Sequence, residues 1–324
     1  MQKQQLLYLS QADVEKVGLE MSRIIELLGE AFQEKGKGNI EMPPKPGIHT
    51  RPDAFIHAMP AYIPAMRSAG IKWVSGYPQN QARGLPYISG LLILNDDDTG
   101  FPYAIMDCIW ITAYRTAAAT ALAAKYLARP DSRVAGILAC GVQGRTNLEA
   151  LSVLFPIERV YAYDIDPKAQ ALFVGEMQVK FDFEIIGVDN PKQAVIDSDL
   201  VVTSGPILKH PEPVIEADWL RPGVFASAVD FDSYWQPAAM AQMDKLSTDD
   251  HAQFQYYRSI GYFGQTPEPY ADLGELVVGA KAGRQNNAER TMAINLGLAI
   301  DDMAVAPEIY RRAEAMNLGT WLPL

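Results

Sequence analysis

The stretch ILACGVQGRTNLEAL, Ile137 to Leu151, decides the reading of the fold. A dinucleotide fingerprint reads G-x-G-x-x-G between a strand and a helix. In that frame the chain has Ala139, Gly141 and Gly144, so alanine replaces the first glycine. Gly141 would let the backbone approach a pyrophosphate. The amides of Val142, Gln143 and Gly144 would open a helix whose positive end favours phosphate. Ala139 is expected at negative φ, behind the pyrophosphate. Asp164, with Ile165 beside it, ends the next strand about twenty residues on, where the motif needs an acid. Its carboxylate can accept from both ribose hydroxyls and would repel a 2′-phosphate, which favours NAD over NADP. Asp166 is a second acidic candidate. A tight turn beside a solvated aspartate is the plainer alternative.

The surrounding rhythm favours the cofactor reading. From Arg133 the chain alternates: RVAGILA strand, QGRTNLEALSVLF helix, RVYAYDI strand, PKAQALFVGEMQVKF helix, FEIIGV strand, PKQAVIDSD short helix, LVVTSG strand. GVFASAVD and DKLSTDD read as further strands. Alternating strands and helices imply a parallel, doubly wound sheet, the Rossmann arrangement. The strands are continuous apolar runs, as expected when both faces are covered.

Upstream the pattern is mixed. Ser10 and Asp13 ahead of VEKVGLEMSRIIELLGEAF read as one capped amphipathic helix. Pro43, Pro44, Pro46 and Pro52 break the chain. AFIHAMPAYI and AGIKWVSGYP read as strands, and YISGLLILNDDDTGFPYAIMD as two strands around an acidic turn. Asp96, Asp97 and Asp98 belong to that turn rather than to a metal site. Ile109 to Leu127 reads as a long Ala/Thr helix, and AERTMAINLGLAIDDMAVAPEIYRRAEAMN as helical. The fold class is therefore α/β: a Rossmann doubly wound parallel sheet plus an α+β substrate and dimerisation domain. The expected division is 119–305 for the Rossmann domain and 1–118 with 306–324 for the other.

Composition narrows the function. The 324 residues carry 28 Lys and Arg against 39 Asp and Glu, a net charge of −11. So acidic a chain is repelled by phosphate backbones, which argues against nucleic acid as a partner. The most apolar long segment, Ile109 to Ala128, contains Arg115 and Lys125 and makes a poor bilayer span. Two cysteines, Cys108 and Cys140, are too few for a disulfide framework. A cytoplasmic protein with no membrane partner is expected. His49, His57, His210 and His251 show no metal-ligand spacing, and there is no G-x-S-x-G elbow.

Two stretches resist a structural account. GIKWVSGYPQNQARGLP places Lys72 inside an apolar strand. ITAYRTAAATALAAKYLA places Arg115 in an alanine-rich helix, where Thr112, Arg115, Thr116 and Ala119 share a face. A cation among small residues is either a snorkelling surface charge or an anion receptor. Tyr87, in GLPYISG, is a candidate contact whose bulk would restrict a pocket.

These pieces together resemble the ornithine cyclodeaminase/μ-crystallin family. The matching segments are HAMPAY (57–62), GIKWVSGYPQN (70–80), GLLILNDDDTGFP (90–102) and ITAYRTAAATALAAKYLARPDS (111–132). CGVQ (140–143), AYDID (162–166), AVDFD (228–232) and GAKAGR (279–284) follow in order. The resemblance implies that Lys72 and Arg115 hold a substrate carboxylate, with short, orienting, charge-assisted bonds. It implies a further cation near PPKPGIHTR, at Lys45 or Arg51, and cofactor contacts at Thr112, Thr203 and Ser204. For Thr203 and Ser204, plain turn residues are the alternative. The catalytic aspartate falls at Asp232, with Asp230 two residues before it on the same strand face; either could instead cap the following helix. At the position where cyclising members carry a glutamate, this chain has His57. An imidazole there could still act as acid or base near neutral pH, but it could not hold a second ammonium as a carboxylate would.

The expected function is an NAD(P)-dependent oxidoreductase of small α-amino or α-imino acids, by hydride transfer at the C–N carbon. Lys72, Asp232 and His57 would be the catalytic set. An amino-acid dehydrogenase and an imine or ketimine reductase both fit. The alternatives are an ammonia lyase that recycles its NAD and a non-enzymatic cofactor- or ligand-binding protein. The expected partner is a small carboxylate-bearing amine or imine, and the resemblance implies a homodimer.

Overall fold

A computed structural model describes residues 5–51 and 53–324; the first four residues and Pro52, one of the expected chain breakers, lie outside the described residues. The chain forms two compact units, 1–115 with 298–324, and 116–297.

The first unit opens with β1 (Gln5–Leu9), α1 (Gln11–Lys16) and α2 (Met21–Gly36). Ser10 caps α1 as expected, and with Asp13 it forms a capping box. The single helix read from the sequence is two, because Gly18 takes φ +63 and closes α1 with a left-handed turn. α2 buries Met21, Ile24, Ile25, Leu28 and Phe32, a stripe at helical spacing.

Next come β2 (Gly47–Ile48), β3 (Phe55–Ile63), β4 (Ser68–Gly76), β5 (Ile88–Asn95) and β6 (Pro102–Asp107), then α3 (Ile109–Leu127). The acidic turn joins β5 to β6 as expected. Asp96 accepts from the Thr99 backbone and hydroxyl, and Arg67 pairs with Asp97 and Asp98. The boundary between the units falls inside α3, after Arg115.

The second unit continues with β7 (Val134–Leu138), α4 (Val142–Leu154), β8 (Arg159–Tyr163), α5 (Pro167–Lys180), β9 (Glu184–Gly187), α6 (Pro191–Val195) and β10 (Leu200–Thr203). It ends with β11 (Phe225–Ala228), α7 (Pro237–Met240), β12 (Lys245–Thr248), α8 (His251–Ser259), β13 (Ala271–Asp272), α9 (Leu273–Val277) and β14 (Thr291–Ile294). The strands lie in the order β13-β12-β14-β11-β10-β7-β8-β9, all parallel. The strand order reverses between β7 and β10, the topological switch that makes a ligand crevice at the strand ends. The segment from Ala288, read as helix, contains β14, four fully buried residues paired between β11 and β12. Burial in the sheet overrides the helix propensity of its flanks.

The chain then returns to the first unit as α10 (Ala299–Ala315) and β15 (Thr320–Pro323). The return had been expected at 306. It comes at Leu298 because α10 packs as one helix against α2, β3 and β4. The sheet order is β15-β1-β6-β5-β4-β3-β2. Its inner face carries Met59, Lys72, Val74, Leu92, Leu94 and Met106, all buried. Among the described residues, no helix is long and apolar enough to cross a membrane.

Candidate functional site

In the first unit, strand alternation on β4 turns Lys72 inward between Met59 of β3 and Leu92 of β5. Its ammonium is fully buried, which is costly unless a countercharge is at hand. Asp302 supplies it: the Lys72 Nζ lies 2.8 Å from Oδ1 and 2.7 Å from Oδ2. Thr112 Oγ1 is 3.4 Å from the same nitrogen. Arg115, one turn beyond Thr112 on α3, places Nη1 3.0 Å from Asp301 Oδ2 and Nε 3.2 Å from Asp302 Oδ1. Asp301 Oδ2 also accepts from the Leu298 backbone, ahead of α10. Burial and the neighbouring Arg115 push Lys72 down from the usual lysine range, and Asp302 opposes them. Burial pushes Asp301 up to about 6 against the pull of Arg115.

Lys72, Thr112 and Arg115 are thus brought together. Asp301 and Asp302 were missed, having been read only as residues of the last helix. Two adjacent aspartates in the apolar run LAIDDMAVA were the signal for them.

Lys45 and His57 belong to the same neighbourhood. Both are buried, and Lys45, His49 and Lys72 all act on the His57 ring. That ring stacks on Phe55 at 4.3 Å and lies opposite Gly47, where a Cβ would sit 2.3 Å from it. Burial, then Lys45, His49 and Lys72, push His57 down to about 3. The ring is therefore neutral, and the expectation of a histidine acting as acid near neutral pH is corrected. Arg51 is not in this group; it is exposed and lines a surface groove with Tyr77, Asn80 and Arg83. Tyr87 is half-buried, and its carbonyl accepts from the Tyr77 backbone.

In the second unit, β7 runs into the turn Ala139–Gly141 and then α4. Ala139 has φ +75, not the negative value expected. The turn needs the left-handed conformation that the first glycine of the motif ordinarily supplies, and alanine is held there at a cost. Gly141 is exposed at φ −80, and a Cβ added to it would meet open space. A Cβ on Gly144 would lie 2.5 Å from the Ala139 carbonyl oxygen. Val142 and Ile165 are exposed, and Gln143 accepts from the Asn147 side chain at 3.2 Å. Arg145 was also missed: its guanidinium bonds the carbonyls of Cys140 and Gly141 and pairs with Glu176.

Both oxygens of Asp164 are already engaged. Oδ2 accepts from the Cys140 amide at 2.7 Å and Oδ1 from the Asp166 amide at 2.9 Å. Each retains a second lone pair for a ribose hydroxyl. Asp166 itself caps α5. Burial and Asp164 push the Cys140 thiol up to about 12, so it is inert. The open cradle over Gly141, the α4 amides and the free lone pairs of Asp164 together fit a dinucleotide.

The hydroxyls of Thr203 and Ser204 serve the protein itself. Thr203 donates to Asp230 at 2.7 Å and accepts from Trp235 Nε1 at 3.0 Å. Ser204 donates to the Ala139 carbonyl. β11 ends at Ala228, and residues 229–234 form a turn with Phe231 at φ +63, so Asp230 and Asp232 do not share a strand face. Asp230 is fully buried, accepts also from the Gly205 amide at 2.9 Å, and is pushed up by burial to about 7. Asp232 is half-buried and accepts from Thr266 at 3.1 Å; burial raises it too. Elsewhere in this unit, His251, Asp272 and Glu275 bring ligand-type atoms within 4.8 Å of one another. Asp272 and Glu275 form the capping box of α9, and His251 pairs with Glu275.

The sequence matches the Ornithine cyclodeaminase/mu-crystallin family over residues 4–317. It is 36% identical to an alanine dehydrogenase of Archaeoglobus fulgidus, covering 97% of each chain. Among solved structures, the Δ1-pyrroline-2-carboxylate reductase of Thermococcus litoralis, in complex with NADH and L-proline, is similar at TM-score 0.88. That likeness has 34% identity over 97% of this chain and 99% of that one. An archaeal alanine dehydrogenase dimer with bound NAD is similar at TM-score 0.88, with 32% identity over 99% of both chains.

Proposed function

The chain belongs to the ornithine cyclodeaminase/mu-crystallin family, and from that premise we propose that it is an NAD-dependent oxidoreductase of a small α-amino or α-imino acid. The observation that carries the substrate class is the buried pair Lys72 and Arg115, two cations on adjoining elements brought together around Asp302. They hold the substrate carboxylate through charge-assisted bonds. Lys45, buried beside His57, adds positive potential. The α4 amides hold the pyrophosphate, and Asp164 takes the ribose hydroxyls and favours NAD over NADP. Bound NAD(H) accepts or supplies the hydride at the C–N carbon. Asp232 takes a proton from the amine or water, or returns one to the imine; its burial brings its proton affinity closer to neutral pH.

His57 favours net redox chemistry over cyclodeamination. A ring pushed down to about 3 is neutral and offers no charge to a second ammonium. NADH oxidation against keto acids with amines and against cyclic imines, with NAD-coupled amino-acid oxidation alongside, tests the proposal. Proline and ammonia formed from ornithine with no NADH accumulating would overturn it in favour of the lyase. If Asp232→Asn leaves every activity unchanged, a binding protein becomes the better reading.

The assembly we propose is a homodimer joined by the outer face of the first unit's sheet. Trp73 and Leu91, neighbours across β4 and β5, are 46% and 44% exposed there. An apolar sheet face of this kind marks an interface. Two free, buried thiols fit a reducing, cytoplasmic compartment.

A further inference from the structure

The two aspartates of α10 stand out because nothing in the proposed chemistry consumes them. Asp301 and Asp302 are fully buried in the first turn of a helix whose following residues are apolar. They touch both cations assigned to the substrate. The contacts are unequal. Asp301 takes one nitrogen of Arg115 and the Leu298 amide. Asp302 contacts both cations, Lys72 through both oxygens and Arg115 through Nε.

We propose that Asp302 is a positioning residue, bridging Lys72 and Arg115 and holding both cations in place for one substrate carboxylate. Two like charges this close repel, and burial removes the water that would screen them. A carboxylate shared between them offsets both penalties. The groups facing Lys72 are Arg115 and Thr112 from α3, Cys108 ahead of it, Asp301 and Asp302 from α10, and His57 from β3. Of these, His57 is neutral and burial pushes Cys108 up to about 11, so it too is uncharged. Arg115 opposes the Lys72 charge, and Asp302 favours it both through space and by its hydrogen bond. Without Asp302, Lys72 would shed its proton at lower pH and lose its hold on a carboxylate.

The test uses the full chain labelled with carbon-13 at lysine Cε, with the Lys72 signal assigned by its absence in Lys72→Met. In Asp302→Asn the Lys72 titration midpoint is expected to fall by about 1–3 pH units. The KM of the imino or amino acid should rise about ten-fold or more at neutral pH. It should recover as the pH is lowered, while the NADH Kd stays put. Asp302→Glu, which keeps the charge, should hold the midpoint near the wild-type value. An unmoved midpoint in Asp302→Asn, or a fallen one in Asp302→Glu, overturns the bridge. The inference rests on the function proposed above, but the titration needs no substrate. A moved midpoint with no turnover on any acid therefore overturns that function and leaves the bridge standing.

Discussion

The Ser204 hydroxyl donates to the Ala139 carbonyl across 3.1 Å, tying the end of β10 to the cofactor turn after β7. The same carbonyl is what a Cβ on Gly144 would strike. Its direction therefore sets how closely α4 follows the turn. Ser204→Ala removes one hydrogen bond of about 1 kcal/mol. NADH affinity is expected to weaken about five-fold by fluorescence titration, with kcat little changed. An unaltered Kd would mean that the bond does not shape the loop.

Ala139→Gly is expected to stabilise. Alanine at φ +75 carries left-handed strain of about 1–2 kcal/mol, and the added freedom of glycine in the unfolded chain takes back about 0.4–1. A net gain of a few degrees in Tm should appear in a thermal melt. A lower Tm would show that the turn holds alanine without strain.

The two loop glycines should fail differently. Gly144→Ala puts a methyl 2.5 Å from backbone, so α4 must shift; both Tm and NADH affinity should fall. Gly141→Ala meets nothing in the protein, so Tm should hold while the methyl blocks the pyrophosphate and affinity falls at least about ten-fold. Equal loss of Tm in both variants would contradict this division.

RVAGILA and LVVTSG read correctly because buried parallel strands are unbroken apolar runs, and Pro167 and Pro191 mark helix starts. Thr291–Ile294 was misread because Glu289 and Arg290 before it, and the true helix after Gly297, surround a strand only four residues long. β1 and β15 were invisible, since edge pairing such as Leu7 with Trp321 leaves no periodic trace. In the site, Lys72 and Arg115 were legible as cations in apolar elements. Their partners were not, because Asp301 and Asp302 lie far along the chain and only the return of α10 brings them near. The φ of Ala139 depended on backbone geometry that its side chain contradicts.

Acid should weaken the fold through His57. Its folded-state value of about 3 lies below the ordinary 6.5, so between these values the unfolded chain binds a proton that the folded chain refuses. Stability is then lost as the pH falls below 6.5, by about 1.4 kcal/mol per pH unit. Asp301 and Asp230, raised to about 6 and about 7, act oppositely and gain stability as they take up protons. Comparing variants separates the contributions. Between pH 7.5 and pH 5, His57→Gln should lose about 2 kcal/mol less unfolding free energy than the wild type in urea titrations. Equal losses would mean that the ring protonates in the folded state.

Trp73 tests the proposed assembly. It projects from the outer face of β4, beside Leu91 and next to the row Ile71, Ile93, Ile105 and Tyr8 across four strands. A tryptophan so exposed adds little to its own unit's core, so an aspartate there should leave the circular dichroism spectrum unchanged. In a dimer the same carboxylate would be buried without a partner, at a cost of several kcal/mol per protomer. Light scattering should therefore find twice the 35.7 kDa chain mass for the wild type and the single mass for Trp73→Asp. A variant that stays dimeric would place the interface on another face, and a monomeric wild type would remove the dimer from the proposal.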